Sequence, residues 1–94
     1  MSDSQAGVSA AAVPAKPLHV RVRNFKGTTM IAAASEAREL SPSALVIWRS
    51  IDGSRTVGDI AGLLAAEYGI DQGTALADVA EFLAELGQAG FVSF

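Results

Sequence analysis

Apolar and polar residues alternate over 18–24, with Leu18, Val20 and Val22 on one side and His19, Arg21 and Arg23 on the other. A period of two is the pattern of a half-buried strand, so the spacing predicts a first strand there. Lys26-Gly27 reads as a turn, and "TTMIAA" at 28–33 as a second β-leaning run. Ala34-Ser35 turns the chain again, and "EAREL" at 36–40 makes a short third segment, weak as a strand by propensity. Three short strands with short connections predict an antiparallel meander.

The period then changes. Ser41-Pro42 is a favoured cap and first residue of a helix. Over 43–51, Leu45, Trp48 and Ile51 fall on one face, widened by Val46 and Ile47. Asp52-Gly53 stops this helix, and Thr56 restarts the chain with Asp59 three positions on, a capping box with Asp in place of Glu. Ile60, Leu63, Leu64 and Tyr68 give the second helix its apolar face, and Gly69 ends it. Asp71 or Thr74 caps a third helix reaching about Leu86. There Leu76, Val79, Leu83 and Leu86 centre an apolar arc that Ala75 and Phe82 widen on one side and Ala80 on the other, to roughly 160°. Gly87 and Gly90 are expected to stop it before an extended "FVSF" tail. The expected class is α+β and winged helix-turn-helix-like: a three-stranded antiparallel sheet followed by a three-helix bundle.

Length and composition narrow the functions. A chain of 94 residues holds one domain and too little interior for a deep enzyme cleft. Residues 1–17 lack large apolar side chains at any regular spacing and read as a disordered tail, leaving 18–94 as the domain. No cysteine is present and His19 stands alone, so thiolate and multi-histidine metal sites are excluded and no cofactor is expected. No apolar run is long enough to span a bilayer, and the N-terminus carries Asp3 without a basic region before an apolar stretch. A cytoplasmic protein without a membrane partner is therefore expected. Asp59 and Glu67 are about two helical turns apart with no nucleophile or metal partner in view, and no phosphate loop or Ser-His-Asp set occurs, so the expectation is a non-enzyme.

Charge is divided along the chain. All seven basic residues lie between Lys16 and Arg55, whereas 56–94 carries six acids and no Lys or Arg. Solvated faces account for this division. It also tells against a phosphate backbone lying on the acidic half, because DNA affinity needs cations facing phosphates.

One set of residues is more specific. "Leu40-Ser41 … Ala44 … Ile47-Trp48 … Ile51-Asp52-Gly53-Ser54-Arg55-Thr56-Val57 … Ile60", with the later "Asp78-Val79 … Phe82-Leu83 … Leu86 … Gly90-Phe91", resembles the PqqD family over nearly all of 18–94. The chain departs from that pattern at Ser41, where the family usually has Asn, and at the charged Arg38 and Glu39 of the third strand. The resemblance implies a RiPP recognition element. Such a domain binds the leader of a ribosomally made precursor peptide and presents it to a modifying enzyme, a radical SAM enzyme or a leader peptidase. It also implies that the leader adds as a strand beside the third strand, against the third helix. Carried onto this chain, that peptide-binding site comprises Ala37, Arg38, Glu39, Leu40, Ala75, Asp78, Val79 and Phe82. Phe82 and Val79 fit plain core packing as well as a groove wall, and Asp78 fits a solvated face as well as selection of basic leader residues. Trp48 is expected in the core, and Asp52, Gly53 and Thr56 as helix stop and cap. Arg38 is available to pair with an acidic leader residue. A monomer that binds no nucleic acid is expected. The competing readings are a winged-helix DNA-binding domain of a transcription regulator and a plain protein-interaction module.

Overall fold

The structure is a computed structural model and describes residues 8–33 and 36–94. Its element order is β1 (Arg21–Phe25), β2 (Thr28–Ala33), β3 (Glu36–Leu40), α1 (Pro42–Ser50), α2 (Val57–Tyr68) and α3 (Gln72–Gln88). The strands form one antiparallel sheet in the order β1-β2-β3, which leaves β3 as an edge. This is the expected α+β class. Phe25 and Thr28 are cross-strand partners, so Lys26 and Gly27 alone make the hairpin loop. Both have positive φ, 53° and 79°, as a two-residue turn of the twist-matched kind requires. Gly accepts that conformation freely, whereas for Lys it is sterically costly.

The sheet register decides which side chains go inward. Val22 and Asn24 of β1 share a face with Thr29 and Ile31 of β2 and with Arg38 and Leu40 of β3. Arg21, Arg23 and Phe25 share the other face with Met30 and Ala32. The helices pack on the first of these faces, where Thr29, Ile31, Ala33 and Leu40 are buried with Trp48, Ile60, Val79, Leu83 and Phe91 in one core. Trp48 is in the core as expected, only 3% exposed.

β1 is not half-buried as its alternation predicts. It starts at Arg21, every one of its residues is exposed, and Leu18 lies outside it, fully open to solvent. The reason is position: the core-facing register is met by helices only under β2 and β3, so Val22 projects from the right side of the sheet but beyond the cover.

The helix signals work locally. The Ser41 hydroxyl accepts from Ala44 N at 3.2 Å with Pro42 at the first position of α1. The Asp52 carboxylate accepts from Ser54 N and Arg55 N, both at 2.8 Å, and these bonds hold it below its ordinary value of 3.8. A depressed acid stabilises the fold above that ordinary value, and the contribution is lost as pH falls through the lowered one. Thr56 and Asp59 form the reciprocal capping box, both bonds at 3.0 Å. Asp71, not Thr74, caps α3, and α3 continues through Gly87 to Gln88. Leu63 and Tyr68 are exposed, so the buried face of α2 is Val57, Ile60, Ala61 and Leu64 instead.

The start of the chain also differs from expectation over 8–17; residues 1–7 of the expected tail lie outside the described residues. Ala12 O accepts from Val57 N and Ala10 O from Gly58 N, each at 2.9 Å. Those donors open α2 and have no partner within the helix. With the capping box, this segment, a strap over 8–17, thus completes the first turn of α2. Gly58 lies against this segment: a Cβ there would stand 3.4 Å from Ala10 O, in van der Waals contact. Pro14 is fully buried, and Ala15 pairs with Ser93 through bonds of 2.8 and 2.9 Å, tying both ends of the chain together. Lys16 lies over the Trp48 ring, 4.8 Å from its centroid, and partial burial lowers its pKa from 10.5. Small apolar residues and prolines dock here through backbone bonds, a mode that leaves no hydrophobic periodicity to read.

Candidate functional site

A groove of about 560 Å³ opens beside β3 and is bounded by all three helices. Ile47 of α1 and Leu64 of α2 line it while almost sealed from solvent, so they form its floor. Phe82 of α3 is half-buried and makes an apolar wall. Tyr68 and Ile70 straddle the stop of α2 at Gly69 and give the groove an exposed apolar lip, Tyr68 being 45% exposed. Arg38 and Glu39 of β3 and Asp78 and Glu85 of α3 complete the rim. The volume and the mostly apolar lining with a few placed charges are those of a ligand site.

The rim is asymmetric in charge. Arg38 Nη1 reaches Glu85 Oε1 at 3.5 Å, linking β3 to α3 across the groove. Glu39 and Asp78 have no ion-pair partner among the described residues. On its helix side the groove therefore presents the unpaired carboxylate of Asp78 and, among the described residues, no unpaired cation; Glu39 borders it from β3 but shares the outer face of the sheet with Met30. Arg38, expected to be available to an acidic leader residue, is already engaged by Glu85.

The expected site residues divide into two groups. Arg38, Glu39, Asp78 and Phe82 line the groove together. Leu40, Ala75 and Val79 lie in the core, Ala75 and Val79 with no exposed surface, and do not line it; Ala37 is exposed on β3 outside the lining. Val79 follows Asp78 by one step and turns under the sheet, where plain core packing claims it. Ile47, Leu64, Tyr68 and Ile70 are groove residues that the sequence pattern does not single out. A usable signal was present: Tyr68 and Ile70 flank the Gly69 helix stop, where the helical face ends and apolar residues leave the core register.

Among the described residues no group of three His, Cys, Asp or Glu could hold a metal ion, and no helix is long and apolar enough to cross a membrane. An edge strand with outward backbone groups, beside an apolar cleft, suits an extended peptide.

The three-stranded meander, the three helices after it and the groove at their junction define the fold of a RiPP recognition element. A sequence profile of the family described as coenzyme PQQ synthesis protein D (PqqD) matches residues 27–92, and the chain belongs to that family. It is 30% identical over 88 residues to a PqqA binding protein of Bradyrhizobium diazoefficiens, spanning 92% of this chain and 85% of the relative. Among solved structures it superposes on the PqqD portion of Methylobacterium extorquens PqqCD, a stand-alone RiPP recognition element, with a TM-score of 0.80 and 27% identity, covering 95% of this chain and 97% of the other. PqqD from Xanthomonas campestris is also similar, with a TM-score of 0.56 and 30% identity over 87% of this chain and 93% of that one.

Proposed function

We propose that this chain is a non-catalytic peptide chaperone that captures the leader of a ribosomally synthesised precursor peptide and presents it to a modifying enzyme, a radical SAM enzyme or a leader peptidase, in the cytoplasm. The observation that carries this reading is the edge strand β3 running beside an apolar-floored groove. A leader adding to β3 as a fourth strand gains main-chain bonds along the edge. One apolar side chain enters between Ile47, Leu64 and Phe82, and a basic residue is drawn to Asp78. The relative named for binding PqqA supports a precursor peptide as the ligand class. No observation favours the winged-helix alternative, since α3 carries Asp78, Glu81 and Glu85 and no cation to face phosphate.

The test is titration of the isotopically labelled full chain with a synthetic PqqA-type precursor peptide, followed by NMR. Amide shifts are expected over 36–47, 68–70 and 78–85. Shifts confined to 21–25 or 56–61 would overturn the strand-addition reading, as would turnover of the precursor by this chain alone.

A further inference from the structure

The face of the sheet turned away from the helices is uncovered, and it is not an ordinary solvated face. The register places Arg21, Arg23 and Phe25 there beside Met30 and Ala32, with Ala37 and the carboxylate of Glu39 on the far strand of the same face. Phe25 is 69% exposed and Met30 is 38% exposed. Lys26 stands at the tip of the same hairpin, 5.4 Å from the centroid of the Phe25 ring. None of Arg21, Arg23 and Lys26 has an acidic partner among the described residues, whereas Arg38 and Arg55 each have one. Aromatic residues, Met and Arg are the types enriched at the centres of protein interfaces. Lys26 also holds positive φ where Asn or Gly would make the same turn at lower cost, so the turn is not optimised for folding alone.

We infer that this outer face docks an acidic protein surface with an apolar centre, carried by the enzyme that receives the peptide; this rests on the proposed function. Charge complementarity selects the occupant. Three unpaired cations along β1 and its turn, one of them beside the exposed Phe25 ring, outnumber the single carboxylate of Glu39 on the β3 side and seek carboxylates around an apolar patch. Three cations on a chain of net charge −3 are a weak phosphate footprint, and Phe25 and Met30 would gain nothing from a phosphate backbone. The geometry leaves the groove free. Peptide and enzyme engage opposite faces of one sheet and can be held together in a ternary complex.

The experiment uses the full chain, a purified candidate radical SAM partner enzyme and the same PqqA-type peptide, with affinities from calorimetry at two salt concentrations. Arg21→Glu or Arg23→Glu is expected to weaken enzyme binding about tenfold or more, the loss typical of reversing a charge at a complementary interface. Phe25→Ser should weaken it comparably. Leader affinity should stay within about twofold in all three. Arg49→Glu, an equal charge change on α1, should leave enzyme binding unaltered, and added salt should weaken the wild-type complex. Enzyme affinity unchanged by the three face variants, no binding of the enzyme by the wild-type chain, self-association through Phe25, or competition by duplex DNA would each overturn the inference. Loss of leader binding by the wild-type chain would instead refute the proposed function.

Discussion

The two edges of the sheet are built from similar material and end in different places. β1 alternates basic and apolar residues, and β3 is short and carries three charges in "EAREL". By pattern alone β1 is the better buried strand. In the structure β3 delivers Leu40 to the core and forms the rim of a groove, while β1 is open along its length. The difference lies in where the chain goes after each strand. β3 runs directly into α1 through the Ser41 cap, so the helices gather at its end of the sheet. β1 is two strands away from that junction and meets no such cover. Burial of a strand is thus set by where its neighbours in the chain return, and alternation only says which side would be buried if cover arrived.

The largest effect that would sharpen this contrast is on stability. Trp48→Ala, beneath the covered end, is expected to cost about 3–5 kcal/mol, and Ile31→Ala about 2–5 kcal/mol. Val22→Ala shares the inward register of Ile31 but should cost within about 0.5 kcal/mol, as for a surface change. Urea unfolding midpoints decide the matter. Equal losses at Ile31 and Val22 would show that β1 is covered after all.

Removing residues 1–17 comes next. A disordered tail would be lost without effect. The strap instead supplies two acceptors to the first turn of α2, a two-bond bridge to Ser93 and the buried Pro14. At about 0.5–1.5 kcal/mol for each of these four hydrogen bonds, the truncated chain should lose about 2–6 kcal/mol by urea unfolding. Unchanged stability would return the segment to a dispensable tail.

These cases separate what a sequence shows from what only folding reveals. Caps, stops and turns are local chemistry, so Ser41, Thr56 with Asp59, Asp71 and Lys26-Gly27 could be read from neighbouring residues, and with them the order of strands and helices. The family resemblance located the junction of β3 and α3, and Phe82 and Asp78 with it. Three things were hidden, each for a tertiary reason. The cover over β1 depends on where helices return. The strap binds through backbone groups of Ala and Pro, which carry no pattern. The floor of the groove comes from α1 and α2, whose apolar residues look like any other core residue until a cavity is found above them. Gly87 misled because a glycine one residue from a helix end is tolerated within it; the Gly87 position packs near Phe94, 3.1 Å from where a Cβ would stand.

For binding, the comparison turns on two phenylalanines. Phe82 walls the groove near β3, and Phe25 sits on the outer face at β1. Phe82→Ala should weaken leader affinity by about tenfold or more, as expected for an aromatic anchor in a pocket. Phe25→Ala should leave it within about twofold, with circular dichroism confirming the fold of both. Comparable losses would mean that the leader does not distinguish the two faces and that the groove is not its seat.

The smallest expected effect concerns Arg38, and its sign is informative. If Arg38 met an acidic leader residue directly, Arg38→Ala would weaken every acidic leader. The structure has Arg38 bridging to Glu85 at 3.5 Å, with side chains 38% and 55% exposed. An exposed pair of this kind contributes at most about 1 kcal/mol, so the fold should hardly notice its loss. The groove should notice, because freeing Glu85 adds a second unpaired carboxylate to that of Asp78 on the helix side of the rim. Leaders with a basic residue should therefore bind Arg38→Ala up to about fivefold more tightly, and charge-reversed leaders should bind it correspondingly less well. The gain should shrink as salt is raised, since all these groups face solvent. Calorimetry with a leader and its Lys→Glu counterpart, at low and physiological salt, measures both. A uniform loss for both peptides would mean that Arg38 contacts the leader backbone and that its bridge to Glu85 gives way when the strand is added.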